Sequence, residues 1–194
     1  IYYLIFLLMD DIIKKDFIKG NLISYIGNKR RLLHYINDEI LILKKELNNE
    51  ENIKMFDGFS GSGVVSRLFK YHCNELYVND IEKYSYIIND CYLSNPNQKE
   101  IKKINQYIDE CNLLNYKNKH IITNNYCPKD ENNIKIDDRV FYTRENGMII
   151  DTIRNKIESY PKKYQKYILS SLLVRSSIHV NTSGVFRGFH KNKH

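Results

Sequence analysis

The sequence contains no tryptophan, only three prolines and only four cysteines in 194 residues. The cysteines stand far apart, at Cys73, Cys91, Cys111 and Cys127, with no C-x-x-C pair and no nearby cluster of histidines. This spacing matches neither a zinc site nor a secreted disulfide framework. We therefore expect reduced thiols in a cytoplasmic protein that binds no metal.

Long apolar runs are missing as well. The run Ile1–Leu8 is apolar, but a bilayer-spanning helix needs about 20 such residues, and a signal peptide needs a basic start and a small-residue cleavage site. No membrane association is expected. Because Met9 follows the run directly, we interpret Met9 as the start of the protein and residues 1–8 as translated upstream sequence. A short buried strand or helix is the alternative.

The charge of the chain has an excess of one sign. There are 30 lysines and arginines against 23 aspartates and glutamates, which gives a formal net charge of +7. Such a charge suits an anionic partner such as nucleic acid. The support is weak, because the abundant Lys, Asn, Ile and Tyr are also the residues favoured by a genome rich in A and T. The 42% hydrophobic and 27% charged residues are typical of a globular domain with a real core.

The first half of the chain has the pattern of an α/β fold. Helical spacing of apolar residues predicts a helix over Lys29–Leu47. Further along, we expect a strand over Asn52–Phe56, a glycine-rich turn, a helix over Val64–Tyr71, a strand over Glu75–Val78 and a helix over Glu82–Leu93. A strand, a glycine-rich turn, a helix and a second strand in this order open a doubly wound parallel sheet.

The second half is predicted to begin with a helix and an irregular insertion. The composition shifts after Asn95, where we expect a helix over Pro96–Asn115. The polar, asparagine-rich stretch Tyr116–Asp138 predicts irregular chain or a small subdomain. At the other end, Lys191–His194 closes the sequence without a terminating pattern, which we interpret as truncation.

Two further helices are expected between these segments. Thr143 is a candidate cap for a helix that runs to about Ser159. Its inner face would consist of four isoleucines, Ile149, Ile150, Ile153 and Ile157. Pro161 would begin the next helix, and the polar turn Asn181–Gly184 would follow its end at about His179.

A glycine-rich loop carries the strongest chemical signal. The segment Asp57–Gly63 reads D-G-F-S-G-S-G and directly follows the first predicted strand. Glycines in this place let the backbone approach a nucleotide-like ligand, because no Cβ stands in the way. Asp80 comes nineteen residues after Gly61, close to the spacing of about 20 at which a carboxylate accepts hydrogen bonds from ribose hydroxyls.

Other interpretations of the loop stay open from these residues alone. A dinucleotide site, as in a nucleotide-dependent oxidoreductase, also needs such an acid, but it prefers the order G-x-G-x-x-G so that a helix N-terminus receives pyrophosphate. Here Ser66 and Arg67 occupy the region of the third glycine. The loop could also have only a turning role.

Two motifs carry a resemblance to a known family. The form D-x-F-x-G-x-G, followed by Asn79-Asp80 after the next strand, resembles the cofactor loop of amino-methylating DNA methyltransferases. Upstream, the stretch Tyr25–Arg30 reads Y-I-G-N-K-R and is similar to the Y-x-G-(S/N/G)-K stretch of Dam-like adenine methyltransferases. The two motifs in this order are far more specific than either one alone.

The resemblance implies a fold, a cofactor and a set of cofactor residues. The fold is a Rossmann-like S-adenosylmethionine-dependent methyltransferase sheet with a helical insertion and target-recognition region. Residues 9–95 would bind S-adenosylmethionine, and residues 96–194 would form the helical insertion and the DNA-recognition region. Asp80 would hold the ribose, and Lys29 would lie near the mouth of the pocket. The matching cofactor residues are Tyr25, Gly27, Lys29, Asp57, Phe59, Gly61, Gly63 and Asp80.

Three segments of the second half resemble the branch of this family found with restriction–modification systems. They are Arg139–Asn146, Ile150–Arg154 and Asn181–Phe186. The resemblance implies double-stranded DNA as the partner and favours it over RNA, although enzymes acting on RNA share the cofactor loop. The implied DNA-binding residues are Arg139, Arg144, Asn181, Ser183 and Arg187. Any single arginine is more often a solvated or salt-bridged surface residue than a specific contact.

One motif of the family is absent. Its members next show (D/N/S)-P-P-(Y/F/W), whose polar residue and a backbone carbonyl accept hydrogen bonds from the adenine amino group, while its aromatic stacks on the flipped base. The prolines here are Pro96, Pro128 and Pro161, and no two are adjacent. We therefore expect a fragment of a site-specific DNA adenine-N6 methyltransferase, inactive by itself and without a nameable catalytic residue. A noncatalytic DNA- or cofactor-binding remnant is the alternative.

Overall fold

A computed structural model describes residues 16–25, 27–47, 53–117, 119–182 and 186–189, with the backbone alone considered for 180–182 and 186–189. The predictions for residues 1–8, for Met9, for Ser183 and for the end of the chain lie outside the described residues. The chain divides into two units between Asn97 and Gln98.

The first unit has alternating helices and strands. After a single 3₁₀ turn at Arg30–Leu32, its elements are α1 (Leu33–Glu46), β1 (Lys54–Asp57), α2 (Val64–Phe69), β2 (Glu75–Val78) and α3 (Lys83–Tyr92). The predicted order of strand, glycine-rich turn, helix, strand and helix is confirmed, with ends that shift by no more than two residues.

The two strands form a small parallel sheet that carries the site. Asp57 lies opposite Val78 in the register, so the carboxyl ends of both strands meet at one edge. One side packs on buried residues of α1 and α2, namely Leu33, Ile40, Val64 and Leu68, with the half-buried Met55 of β1 against them. The other side presents Phe56 and Tyr77, which are mostly exposed. This covered face fixes the position of the loop that leaves β1.

A buried arginine ties α2 to the chain before α1. The Arg67 side chain is 1% exposed, and its guanidinium donates to the carbonyl oxygens of Phe17 at 2.8 Å, Ser62 at 3.0 Å and Gly20 at 3.1 Å. Burial lowers the pKa of Arg67 to about 10, so the group stays charged at neutral pH. Arg67, which stands where a third glycine would fall, therefore holds the backbone of the glycine-rich loop at Ser62.

The second unit is mainly helical. Its helices are α4 (Gln98–Asn112), α5 (Ile121–Asn125), α6 (Arg144–Ile157) and α7 (Lys162–Ser177), and a pair of antiparallel strands follows, β3 (Val180–Thr182) and β4 (Phe186–Phe189). One prediction was wrong here: residues 181–182, expected to lie in a polar turn, belong to strand β3. The stretch Tyr116–Asp138, predicted to be irregular chain or a small subdomain, contains the short helix α5.

The α6 helix begins as predicted but buries a different face. The Oγ1 of Thr143 accepts a hydrogen bond from the Asn146 backbone N–H at 3.1 Å, which confirms the cap. Of the four isoleucines expected to be buried, only Ile157 is; the other three are half-buried and line a cavity of about 330 Å³. The buried positions in the first turns are Gly147 and Asp151. A Cβ at Gly147 would lie 2.4 Å from the Cys127 Sγ, so the preceding segment packs directly on this glycine.

Other expectations concern membranes, metals and thiols. Within the part of the chain that the structure describes, no helix is long and apolar enough to cross a membrane. The same residues contain no group of three or more His, Cys, Asp or Glu side chains arranged to hold a metal ion. All four cysteines are free thiols.

Candidate functional site

The glycine loop between β1 and α2 adopts a backbone that only glycine accommodates easily. Gly61 has φ +50° and Gly63 has φ +72°, both in the left-handed region. A Cβ at Gly61 would lie 2.7 Å from the Tyr25 ring, and a Cβ at Gly63 would lie 2.0 Å from the Oδ1 of Asn89. The loop is therefore pressed between side chains from two other segments, which explains its glycines better than turning alone.

Asp80 joins the loop to the end of β2. Its Oδ2 accepts a hydrogen bond from the Gly61 backbone N–H at 2.7 Å, and its Oδ1 accepts one from the Glu82 backbone N–H at 2.9 Å. A carboxylate has about four acceptor positions on its two oxygens. Asp80 is half-buried, so it is fixed by two backbone donors and keeps acceptor capacity for a ligand.

The loop is also joined to the sheet by its backbone. The Asn79 N–H donates to the Asp57 carbonyl at 2.9 Å, and the Ser60 N–H donates to the Asn79 carbonyl at 3.0 Å. The Asp57 carboxylate accepts from the Ser66 hydroxyl at 2.6 Å. These bonds place both acids of the motif, Asp57 and Asp80, at the carboxyl ends of neighbouring strands.

A buried polar cluster beneath the loop was missed by sequence reasoning. Ser85 and Asn89 lie one turn apart on α3, and the Ser85 hydroxyl donates to the Gly61 carbonyl at 2.5 Å. The Asn89 amide donates to the Ser60 Oγ at 3.0 Å and to the Ser85 Oγ at 3.2 Å. The only signal in the sequence was a Ser and an Asn at helical spacing in the predicted helix after Asp80. The cluster thus binds the Gly61 carbonyl, while the Gly61 N–H donates to Asp80.

The stretch around Lys29 closes one side of a cavity of about 230 Å³. Eleven residues line it: Tyr25, Gly27, Asn28, Lys29, Asp57, Phe59, Ser60, Gly61, Ser62, Val64 and Val65. Six of the eight predicted cofactor residues are thus brought together. Gly63 and Asp80 do not line this cavity, although Asp80 is bonded to Gly61. The Lys29 Nζ donates to the Gly27 carbonyl at 3.0 Å on the exposed side.

Two large apolar side chains near this edge of the sheet face solvent. Phe59 is 96% exposed and Ile81 is 97% exposed. Ile81 was missed by sequence reasoning, although an apolar residue directly after the acid was a visible signal. Exposed apolar side chains beside fixed polar acceptors suit a ligand with a flat apolar ring and a polar sugar.

A second tyrosine supports Tyr25. The rings of Tyr25 and Tyr84 lie 6.4 Å apart. Burial raises the pKa of Tyr84 to about 12, with further contributions from Tyr25, Glu82 and Asp80. Tyr84 keeps its proton at neutral pH and can donate a hydrogen bond to the Tyr25 side chain.

The predicted DNA-binding residues lie in the second unit. The Arg139 guanidinium lies 5.8 Å from the centre of the Tyr126 ring, and the Arg144 Nη1 donates to the Pro128 carbonyl at 3.1 Å. Asn181 lies on β3 and Arg187 on β4, with only their backbone described. Arg139 and Arg144 thus flank the same irregular segment.

The chain is similar to known DNA methyltransferases. The family model described as D12 class N6 adenine-specific DNA methyltransferase matches residues 25–194. The type II methyltransferase M.NlaIII of Neisseria lactamica is 30% identical over 178 residues, which cover 87% of this chain and 49% of the relative. The type II methyltransferase M.CviAII of Paramecium bursaria Chlorella virus 1 is 28% identical over 175 residues, with 88% and 50% covered.

The modification methylase LlaI of Lactococcus lactis subsp. lactis is 29% identical over 183 residues, which cover 86% of this chain and 27% of the relative. The chain thus spans about half the length of the first two relatives and 27% of the length of the third. No solved structure matches it.

Proposed function

The chain belongs to the D12 class of N6-adenine-specific DNA methyltransferases, and from this membership we propose that it is part of an enzyme that methylates adenine in double-stranded DNA with S-adenosylmethionine. Because three relatives are named type II methyltransferases or a modification methylase, we assign it to a restriction–modification system. The observation that carries the cofactor assignment is the bond between the Gly61 N–H and the Asp80 carboxylate.

The charges of the site favour this cofactor over a dinucleotide. Asp57 lines the cavity and Asp80 is bonded to its Gly61, so two carboxylates lie at the edge of the sheet where a ligand would bind. Asp80 would suit the ribose of either cofactor, and Lys29 also lines the cavity. The Asp57 carboxylate, however, would repel a pyrophosphate group and attract the sulfonium cation of S-adenosylmethionine. The start of α2 also borders the cavity, through Val64 and Val65, but the loop lacks the third glycine of a dinucleotide fingerprint.

The residues present have the donors and acceptors that the cofactor needs. Asp80 would accept hydrogen bonds from the ribose hydroxyls, and the exposed Phe59 and Ile81 would contact the adenine ring. The Tyr25 ring and the glycines shape the cavity wall, and Lys29 lies at its mouth. The cofactor supplies an electrophilic methyl group. These residues bind and orient it, which is a large part of catalysis in a reaction with no covalent enzyme intermediate.

The second half of the chain is proposed to contact DNA. Residues 9–95 form the cofactor-binding half, and residues 96–194 form the helical insertion and the recognition region. In the family reaction the adenine is turned out of the duplex before methyl transfer. Contacts to DNA are assigned to Arg139, Arg144, Asn181, Ser183 and Arg187. No catalytic residue is assigned, because the 194 residues contain no adjacent prolines.

Ligand-dependent melting tests the cofactor assignment. S-adenosylhomocysteine at 100 times its Kd is expected to raise the melting temperature by roughly 5–10 °C, whereas NAD should not change it. In Asp80→Asn the rise should disappear, because one of the two N–H donors then faces the amide nitrogen and the ribose loses its acceptor. Glu82→Gln, an exposed acid two residues away, is the matched control and should keep the full rise. A rise with NAD and none with S-adenosylhomocysteine would support the oxidoreductase alternative.

A second candidate is a noncatalytic DNA- or cofactor-binding remnant of such an enzyme. The two candidates differ in methyl transfer. Sequencing the source DNA beyond the codon for His194 shows whether a D-P-P-Y-like motif follows. If it does, the longer product should transfer labelled methyl groups to adenine in duplex DNA. If no such motif follows, the chain should bind ligands without methylating DNA.

A further inference from the structure

The segment Cys127–Val140 forms a closed loop in the second unit. The carbonyl of Tyr126 accepts from the Phe141 N–H at 3.0 Å and from the Tyr142 N–H at 3.2 Å. The rings of Tyr126 and Phe141 lie 5.6 Å apart. The two ends of the loop are therefore joined at its base, as in an Ω-loop, a class of surface loop that is frequently functional.

Three acids of this Ω-loop bind backbone N–H groups. Asp130 accepts from the Asn132 N–H at 2.9 Å, and Asp138 accepts from the Lys135 N–H at 2.9 Å. Glu131 accepts from the Arg144 N–H at 2.5 Å. The bonds of Asp130 and Asp138 stay within the loop, and that of Glu131 joins the loop to the first residue of α6, so together they give the loop a definite shape.

The tip of the Ω-loop is formed by residues 132–136, Asn132, Asn133, Ile134, Lys135 and Ile136. All five are exposed, Ile136 completely and Ile134 to 43%. A fully exposed isoleucine on a shaped loop gains free energy when a partner covers it. The tip therefore has the properties of a contact surface, with amide, ammonium and apolar groups side by side.

The Ω-loop carries four carboxylates against three cations, so the groups that its tip and base present, and not its net charge, point to one class of partner. Asparagine amides pair with adenine edges, lysine with guanine, and apolar side chains with the methyl group of thymine. Asp137, the remaining acid, is exposed and can accept from a cytosine amino group. Cations stand at the base, where Arg139 lies over the Tyr126 ring and Arg144 is held by Pro128. This division matches protein–DNA interfaces, in which cations contact phosphates and other side chains read the bases.

We propose that the Ω-loop enters a groove of duplex DNA and that Asn132, Asn133, Lys135 and Ile136 contact base edges. The proposal rests on the proposed function, which makes DNA the partner, and it assigns sequence recognition to residues outside the family motifs. Arg139 and Arg144 then contribute to affinity for the phosphate backbone of DNA and not to the choice of sequence.

Selection from a pool of randomised duplexes tests this assignment with the whole 194-residue chain. The wild-type chain should enrich a defined sequence. Asn133→Ala/Ile136→Ala should relax the preference at one or two base pairs and weaken binding to the enriched duplex roughly tenfold to a hundredfold. Asn124→Ala/Ile121→Ala changes the same residue types at exposed positions of α5 and should bind as the wild type does. Arg139→Ala should weaken binding to all duplexes alike and reduce the salt dependence.

Several results would overturn the assignment. The tip variant could enrich the same sequence with the same affinity, or the wild-type chain could fail to bind DNA. The tip variant could also abolish self-association in sedimentation experiments while DNA binding is unchanged, which would make the loop a protein contact. Stabilisation by S-adenosylhomocysteine, measured on the same variants, should be retained in all cases. If S-adenosylhomocysteine failed to stabilise the wild-type chain, that result would instead count against the proposed function.

Discussion

Gly63→Ala is expected to weaken S-adenosylhomocysteine binding about 100-fold, whereas Gly58→Ala should leave it unchanged. Gly63 has φ +72°, a conformation that costs a residue with a Cβ about 1–2 kcal/mol. The new Cβ would also lie 2.0 Å from the Asn89 Oδ1. Asn89 is buried and bonded to Ser60 and Ser85, so it cannot turn away without breaking the cluster that holds the Gly61 peptide. Isothermal titration or ligand-dependent melting measures the loss.

Gly58 is the matched control because it lies in the same loop without either constraint. Its φ is not positive, and its added Cβ would meet the Phe56 ring at 3.1 Å. Phe56 is mostly exposed and can rotate. In the double variant Gly63→Ala/Asn89→Ala the overlap is removed, but the backbone strain and the loss of the Asn89 hydrogen bonds to Ser60 and Ser85 remain, so only part of the affinity should return. Unchanged binding in Gly63→Ala would show that the packing of this loop does not shape the cofactor site.

The glycine loop shows what a sequence can and cannot reveal about such a site. The alternation of apolar segments predicts the order of strands and helices because each element is encoded by local periodicity. The glycines and Asp80 were visible because their chemistry is read from residue type and spacing. The doubly wound arrangement stays a prediction, since the described residues of the first unit contain two parallel strands.

The supporting residues escaped prediction because their role depends on distant partners. Ser85 and Asn89 are ordinary residues of α3 until the fold places them against Ser60 and Gly61. Arg67 is recognisable only as a missing glycine until its guanidinium donates to the carbonyls of Phe17 and Gly20. These pairs belong to no motif with a known spacing, so their residue types carry no signal until the fold brings them together.

The short helix α5 also depends on a distant partner and was not predicted. Five residues are too few for a periodic pattern, and isolated helices of this length are unstable in water. Its N-terminal N–H groups are bound by the Asp151 carboxylate of α6: Oδ2 accepts from the backbone of His120 at 2.9 Å and of Thr123 at 2.8 Å, and Oδ1 accepts from Ile122 at 3.0 Å. The helix thus exists because of an acid that lies 28 residues further along the chain from Thr123.

Asp151→Ala should therefore destabilise the second unit by about 3–5 kcal/mol. The substitution leaves three backbone N–H groups and the Thr123 hydroxyl, which donates at 2.7 Å, without their acceptor. The N–H and the hydroxyl of Thr123 are buried, and each buried donor without a partner costs about 1–3 kcal/mol. Asp109→Ala, an exposed acid on α4, is the control and should change the stability by less than about 0.5 kcal/mol. Urea unfolding measures the difference, and faster hydrogen exchange at His120, Ile122 and Thr123 would locate it at α5.

The stability that is lost when Asp151 is replaced should also depend on pH. This dependence distinguishes a charged carboxylate from a side chain that only fills space. Burial alone would raise the pKa of Asp151, but its hydrogen bonds with Thr123, Ile122 and His120 outweigh burial and lower the pKa below its ordinary value of 3.8. A carboxyl whose folded pKa is depressed stabilises the protein above the unfolded pKa, and this contribution is lost as the pH falls through the folded value. The stability difference between the wild type and Asp151→Asn should therefore be constant above about pH 5 and shrink below pH 4. A difference that stays the same from pH 7 to pH 3 would mean that the residue acts through its shape and not through its charge.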